Sequence, residues 1–149
     1  MKVPTNYLEW CNLFDEIIRN PRDEEYFDLI SHGTISWTSG VAERFVQSAS
    51  NMIRSRVNAA QDTYQKQMRN ARGMNTNIIN ALGGLAKEYR YVYKLANALP
   101  IPADFRDQLV DSVRKQADQT QHSLEDSAKA DRTGRLLSTV RSTRVNKLD

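Results

Sequence analysis

The chain has 149 residues, enough for one domain with a buried core, 40% hydrophobic residues and a formal net charge of +3. Its single cysteine, Cys11, excludes an internal disulfide, and no uncharged stretch is long enough to span a bilayer. The opening segment MKVPTNYLEW lacks the apolar run of a signal peptide, so we expect a cytoplasmic protein without a membrane partner.

Charge is unevenly distributed along the sequence. Residues 1–36 carry three cations and seven anions, a balance of −4, whereas residues 37–128 balance at +3 and residues 129–149 at +4. Such polarity can steer an acidic partner or orient self-association. The total is modest for a protein that binds nucleic acid.

Two short helices are predicted first. In the first helix, apolar residues recur at steps of three and four, which favours a buried and unreactive thiol at Cys11. The second helix has Asn20 as its expected N-cap and Pro21 in its first turn, and Gly33 is expected to end it in a left-handed conformation. The apolar residues of the first helix are Tyr7, Cys11, Phe14, Ile17 and Ile18.

A long helix is predicted from about residue 40 to residue 72, roughly 50 Å in length. Its apolar residues share one half of the helix circumference and most of its cations share the other. Arg56 is the exception on the apolar side, and a turn at Gly73 would bring it near Glu88, which could explain its inward position. The apolar residues are Val41, Phe45, Ala49, Met52, Ile53, Val57, Ala60, Tyr64, Met68 and Ala71.

The next helix begins near Asn75 or Asn77 and ends at Pro100, and its apolar residues form a heptad seam. Gly83 and Gly84 interrupt it at a cost of about 2 kcal/mol relative to alanine, which indicates a kink, a break or a closely crossing helix, and we favour the close crossing. The seam consists of Ile78, Leu82, Leu85, Tyr89, Val92, Ala96 and Leu99.

A last long helix should begin at Pro102. Its apolar stripe is weak, because glutamine and threonine stand where large apolar residues would be expected, and a second copy of the chain could supply the missing burial. The stripe consists of Phe105, Leu109, Val113, Ala117, Leu124 and Ala128.

Together these elements predict an all-α fold. We expect an elongated helical bundle with a long antiparallel helical hairpin, a third long helix packed on it, and two short N-terminal helices. Residues 1–130 would form this single domain, and residues 131–149 a basic C-terminal tail that is partly helical or flexible.

A basic face is predicted on the seam helix. Lys87, Arg90, Tyr91 and Lys94 fall within about 100° of one another on a helical projection, and Arg54 would lie close by. Cations beside one exposed aromatic ring suit a phosphate backbone with a stacked base. The same pattern also fits a helix face that is simply solvated.

The basic tail does not resemble a membrane-binding helix, because on a helical projection its cations are spread around the helix and do not line one side. It predicts either a solvated end or an arm that orders on an acidic partner or nucleic acid. The cations that would bind are Arg141, Arg144 and Lys147.

Catalytic chemistry finds little support in the sequence. His32 lies in the last turn of the second helix, where a histidine interacts favourably with the helix dipole. His122 lies between Asp118 and Asp126. Glycine-rich phosphate loops, nucleophile elbows and zinc-type spacings do not occur. We predict no catalytic residue, no cofactor and no metal.

These features favour a non-catalytic helical-bundle protein that acts through protein–protein interaction or self-assembly. An adaptor, inhibitor or assembly factor of bacterial or phage type would fit, with a protein partner or a homo-oligomer. The alternative is a nucleic-acid-binding protein that uses the basic face and the tail. The candidate residues are Arg54, Lys87, Arg90, Tyr91, Lys94, Arg141, Arg144 and Lys147.

Overall fold

The computed structural model describes residues 2–20, 23–38 and 40–149. Within these ranges 77% of the residues are helical, in six helices and without a strand. Helices α3 and α4 pack extensively, which confirms the predicted all-α bundle. The helices are α1 (Tyr7–Arg19), α2 (Asp23–His32), α3 (Val41–Ala71), α4 (Asn75–Ala98), α5 (Ala103–Ala128) and α6 (Arg135–Ser142).

The ends of α1 are set by side chains and backbone groups that satisfy its unpaired termini. The Asn6 side chain accepts a hydrogen bond from the Glu9 N–H at 3.0 Å, as an N-cap does. Asn20 is the C-cap of α1, and its N–H donates to the Glu16 carbonyl at 2.8 Å. The expected role of Asn20 at the start of α2 is therefore replaced by one at the end of α1, and Pro21 lies outside the described residues.

By its internal contacts the chain divides into two compact units. The first comprises Met1–Arg56 and Tyr91–Asp111, and the second comprises Val57–Arg90 and Ser112–Asp149. Helices α3, α4 and α5 each contribute residues to both units.

Aromatic rings form the core of the first unit. Trp10 and Phe45 are fully buried, with ring centroids 5.1 Å apart at 77°. Phe14 and Trp37 meet the same Phe45 ring at 5.5 Å and 5.4 Å. Tilted and edge-on contacts are favourable because the positive edge of one ring faces the negative face of another. The cluster therefore fixes α1 on α3.

The buried face of α1 differs from the predicted one. Trp10, Leu13, Phe14 and Ile17 are buried, whereas Ile18 is 42% exposed and Cys11 is only half-buried. The predicted stripe is confirmed at Phe14 and Ile17 and was wrong at Cys11 and Ile18, because α1 carries two apolar stripes and the periodicity alone does not say which of them faces the core.

Gly33 was expected to end α2 in a left-handed conformation, and this was wrong. Its φ lies outside the left-handed region, unlike that of Gly40 or Gly73. Gly33 is needed for space, because a Cβ atom at this position would overlap the six-membered ring of Trp10. The indole Nε1 donates to the Thr34 carbonyl at 2.9 Å and holds the ring there.

The heptad seam of α4 is confirmed. Six of its seven members are buried, Ile78 alone being half-buried. The apolar face of α3 is confirmed only in part, because Val41, Ala60, Tyr64 and Met68 are half-buried. All of these except Val41 lie in the second unit.

The closely crossing helix expected at Gly83 and Gly84 was not found. A Cβ atom on either glycine would meet no described atom within 4 Å, and α4 continues through both positions. The Cβ side of both glycines faces open space, although Leu82 and Leu85 beside them are buried.

The tail completes the core of the second unit. Val140 of α6 packs with Leu82 and Ala128, and all three are buried. Gln121, at 2% exposure, bridges the tail backbone: its Nε2 donates to the Val140 carbonyl at 3.2 Å, and its Oε1 accepts from the Val145 N–H at 3.0 Å. Half-buried side chains surround this cluster: Tyr64, Ile78, Leu124, Leu136 and Leu137.

Gln121 thus accounts for one polar residue in the weak stripe of α5. A buried amide whose oxygen and nitrogen both have partners avoids the cost of an unsatisfied polar group. The partner is the tail of the same chain. That residues 1–130 form a domain without the tail stays a prediction.

Candidate functional site

The predicted basic face on α4 contains cations that differ in their surroundings. Lys87 and Arg90 are exposed and have no partner among the described residues. Both belong to the second unit, whereas Tyr91 and Lys94 belong to the first. Arg54, on α3 in the first unit, is also exposed without a partner in the described ranges.

Tyr91 is half-buried, although we expected it to stand outside the helix face. Its hydroxyl donates to the Asp23 carbonyl at 3.0 Å, and the guanidinium carbon of Arg56 lies 4.7 Å from its ring centroid. A ring with a cation over one face and a bonded hydroxyl is fixed in place. Tyr91 therefore contributes first to the packing of α2 and α4 in the first unit.

Arg56 owes its inward position to partners on α1 and α2. Its Nη1 donates to Asp23 Oδ1 at 3.1 Å and to the Ile17 carbonyl at 3.2 Å, and its Nη2 donates to Asp23 Oδ2 at 3.4 Å. The Arg56 side chain is only 10% exposed. A two-pronged contact of this kind suits the planar guanidinium. The expected contact with Glu88 stays a prediction.

Lys94 lies on an aromatic ring of α2. Its Nζ is 3.8 Å from the centroid of the Phe27 ring, a cation–π contact. The lysine remains exposed, so the contact orients its charge without removing it from solvent.

The candidate cations of the tail lie on a docked segment. Arg141 Nε donates to Glu125 Oε1 at 3.0 Å, and this hydrogen bond holds the pKa of Glu125 below its usual value. Arg144 Nε donates to Asn146 Oδ1 at 3.2 Å, while Lys147 is exposed. Asn146 also donates to Asp118 at 2.9 Å, which ties the segment to α5.

A groove of about 730 Å³ opens in the second unit between α3 and α5. Its floor is apolar: Leu85 of α4 is buried, and Tyr64, Met68 and Leu124 are half-buried. Four glutamines line its walls, together with Arg69 and three hydroxyl residues. These polar residues of the α3–α5 groove are Gln61, Gln65, Gln116, Gln119, Thr120, Ser123 and Ser127.

The α3–α5 groove is almost free of charge. Only Arg69 among its twelve lining residues is charged, in a chain of which 26% is charged. Burial raises the pKa of the Tyr64 phenol, so this ring stays neutral at physiological pH. An apolar floor with a neutral, hydrogen-bonding rim suits contact with another polypeptide.

A hydrogen-bond network anchors the Gln61 side of the groove. Gln61 Nε2 donates to the Tyr89 hydroxyl at 2.9 Å and to Thr120 Oγ1 at 3.3 Å, and the two hydroxyl oxygens lie 2.7 Å apart. Burial raises the pKa of Tyr89, an effect that these hydrogen bonds partly offset. The network joins α3, α4 and α5 and fixes the spacing of the groove walls there.

The histidines have local partners only. His122 Nε2 lies 3.2 Å from Asp126 Oδ2, and His32 Nδ1 lies 2.8 Å from the Asp28 carbonyl oxygen. In the described ranges, three or more histidine, cysteine, aspartate or glutamate side chains do not gather in a group that could hold a metal ion. No helix of that part of the chain has both the length and the apolar character needed to cross a bilayer.

Comparison of the chain with protein-family models, curated protein sequences and solved structures gives no match. A function must therefore be inferred from the residues and their arrangement.

The α3–α5 groove itself was missed by sequence reasoning, although one signal pointed to it. Thr120 and glutamines interrupt the apolar stripe of α5, and the same residues line the groove or approach the tail. Periodicity marks a helix face as weakly apolar, but it does not distinguish an open groove from a face covered by a polar contact.

Proposed function

We propose that this protein is a non-catalytic helical protein that acts by binding another polypeptide, and that the α3–α5 groove is its binding site. One observation carries the proposal: an apolar floor is left open between two helices under a nearly uncharged rim. Covering apolar surface lowers the free energy by about 25 cal/mol per Å². The apolar floor would therefore stabilise the complex with a partner that fills the groove.

The geometry favours a helical partner. Two helices of the same unit form the walls, and α4 lies beneath them with Leu85. An amphipathic helix binds such a groove by placing residues at steps of three and four against the floor. Glutamine, serine and threonine side chains at the rim can then bond to the polar flanks of the partner.

A groove-blocking substitution tests the proposal. Ser123→Arg places a long cation in the groove, and Ser55→Arg is the matched control, because Ser55 is exposed on α3 and does not line the groove. Each tagged variant is purified under native conditions from the source cell, and bound proteins are quantified by mass spectrometry. We expect one partner chain to be lost with Ser123→Arg and kept with Ser55→Arg.

Two results would contradict the proposal. A partner retained equally by both variants binds elsewhere on the molecule. Absence of any stoichiometric partner, including a second copy of the chain, would remove the role of the groove in binding. Circular dichroism of both variants checks that they keep the helical fold.

A second candidate function is nucleic-acid binding through the predicted basic face. Its support is the exposure of Lys87 and Arg90 on α4, without partners in the described part of the chain. Replacing both with glutamate should reduce the salt dependence of binding by about one unit per lost phosphate contact. Lack of affinity for single- or double-stranded nucleic acid at low salt would exclude this function.

A further inference from the structure

We propose that the occupant of the α3–α5 groove is helix α1 of a second copy of this chain. The inference rests on the proposed function, because it names the polypeptide that fills the same groove. The contact surface of α1 would be its outer stripe, defined here as Leu8, Cys11 and Ile18.

The outer stripe of α1 is apolar and partly exposed. Leu8 is 69% exposed, Ile18 is 42% exposed and Cys11 is half-buried. At about 100° per residue these three positions fall within roughly 80° of one another, on an arc beside the buried stripe. Leu8 is the most exposed of the large apolar side chains in the described residues. A partner that covers Leu8 and Ile18 would remove this apolar surface from water.

The lengths of the outer stripe and the groove agree. Leu8 to Ile18 spans about 15 Å at 1.5 Å per residue. The α5 wall, from Gln116 to Ser127, spans about 17 Å on the same scale. One α1 helix can therefore lie along the groove with all three side chains of the stripe over the floor.

The charges of the two surfaces are complementary. Asp15 lies within the arc of the outer stripe, is exposed and has no partner among the described residues. Arg69, the one cation that lines the groove, is likewise exposed without a described partner. Helix α1 as a whole carries three acids and one base, Arg19. An α1 helix therefore brings negative charge to a groove whose charge is positive.

Each copy would offer one stripe and one groove. Two copies can exchange these contacts reciprocally in a closed two-fold dimer, or head-to-tail contacts can close into a larger ring or extend into a filament. A copy without its stripe can still receive a helix, and a copy without its groove can still donate one.

Sedimentation velocity of two single variants and their mixture tests the assignment. Leu8→Glu removes the apolar stripe at a largely exposed position, and Ser123→Arg blocks the groove. We expect the unaltered chain to associate increasingly with concentration and each variant alone to be monomeric. An equimolar mixture of the two variants should form a dimer and nothing larger, because only one intact stripe–groove pair is then available.

A charge exchange gives an independent readout. Asp15→Arg and Arg69→Asp should each weaken association, and the protein that carries both should recover it, because the pair is restored with opposite polarity. Association of the unaltered chain should also weaken as salt is raised. Singles that change nothing, or a double variant that recovers nothing, would refute the Asp15–Arg69 pairing.

The outcomes separate this inference from the proposed function. A monomeric unaltered chain that still captures a partner in a groove-dependent manner leaves the groove as binding site and eliminates α1 as its occupant. An oligomer that Ser123→Arg does not disturb places self-association on another surface and overturns the inference. The inference is also overturned if the mixture of the two variants stays monomeric while the unaltered chain associates.

Discussion

Arg56 shows at the scale of one residue why a cation lies on the apolar side of a long helix. Its guanidinium is nearly buried, bonds to Asp23 and the Ile17 carbonyl, and covers the Tyr91 ring. The inward position was predicted from the helical projection, whereas Asp23 was not identified as its partner. Asp23 lies next to Arg56 because of the way the chain turns from α1 into α2. The residue periodicity of α3 carries no information about that turn.

Alanine substitutions distinguish a glycine that is required for close packing, Gly33, from one that has open space around its Cα, Gly84. Gly84→Ala should raise the free energy of unfolding by about 1 kcal/mol, because Gly84 lies within α4 in open space and alanine favours a helix. Gly33→Ala should lower it by about 1–3 kcal/mol, because the added methyl group overlaps the Trp10 ring. Urea unfolding measures both. A destabilising effect of Gly84→Ala would contradict the open surroundings of this position.

At the scale of elements, two carboxylates order the tail: Glu125 of α5 accepts a hydrogen bond from Arg141, and Asp131 accepts one from the backbone of α6 within the tail itself. Asp131 Oδ2 accepts from the Leu136 N–H at 3.1 Å at the start of α6, and this bond helps to hold the pKa of Asp131 below its usual value. The hydrogen bond from Arg141 does the same for Glu125. Both groups therefore bind protons more weakly in the folded chain than in the unfolded one.

Acid should therefore loosen the tail. A folded-state pKa below the unfolded value contributes stability that is present above the unfolded-state pKa and is lost as the pH falls through the folded-state pKa. We expect the methyl NMR resonances of Val140 and Val145 to shift toward unfolded values on acidification. In a chain with Glu125→Gln and Asp131→Asn, the tail should already be loosened at neutral pH and should respond less to acid. An identical titration in both proteins would contradict this role.

The elements themselves were largely predictable, and their contacts were not. The heptad seam of α4 has one apolar face, so burial of Leu82 and Val92 followed from spacing alone. Helix α1 has two apolar stripes, and the choice between them depends on the close approach of Trp10 to Gly33. The α3–α5 groove depends on the distance between two helices, a quantity that a one-dimensional pattern does not encode.

At the scale of the whole molecule, residues 1–130 depend on the tail for part of their stability. Val140 is 2% exposed and Val145 is fully buried, and Gln121 has its two backbone partners in the tail. Removing the tail exposes the apolar side chains that it covers and leaves a buried amide without these partners. Both changes destabilise the second unit.

Deleting residues 131–149 should lower the free energy of unfolding by about 3 kcal/mol or more, because burying a valine side chain contributes roughly 1.5–3 kcal/mol. A chain that lacks only residues 147–149 is the control, since it keeps both valines and the Gln121 bridge. Urea unfolding followed by circular dichroism measures the difference. Equal stability of the full chain and residues 1–130 would instead show that the tail is dispensable for folding.

The discontinuous make-up of the two units has a consequence for synthesis on the ribosome. The first unit combines residues 1–56 with residues 91–111, so it stays incomplete while the intervening stretch is translated. Gln121 also lacks its hydrogen-bonding partners when it is synthesised, because Val140 and Val145 follow it by 19 and 24 residues. At a synthesis rate of about 5–20 residues per second, Leu82 lacks its contact with Val140 for several seconds in each nascent chain. Chaperones that recognise apolar segments have their opportunity during that interval.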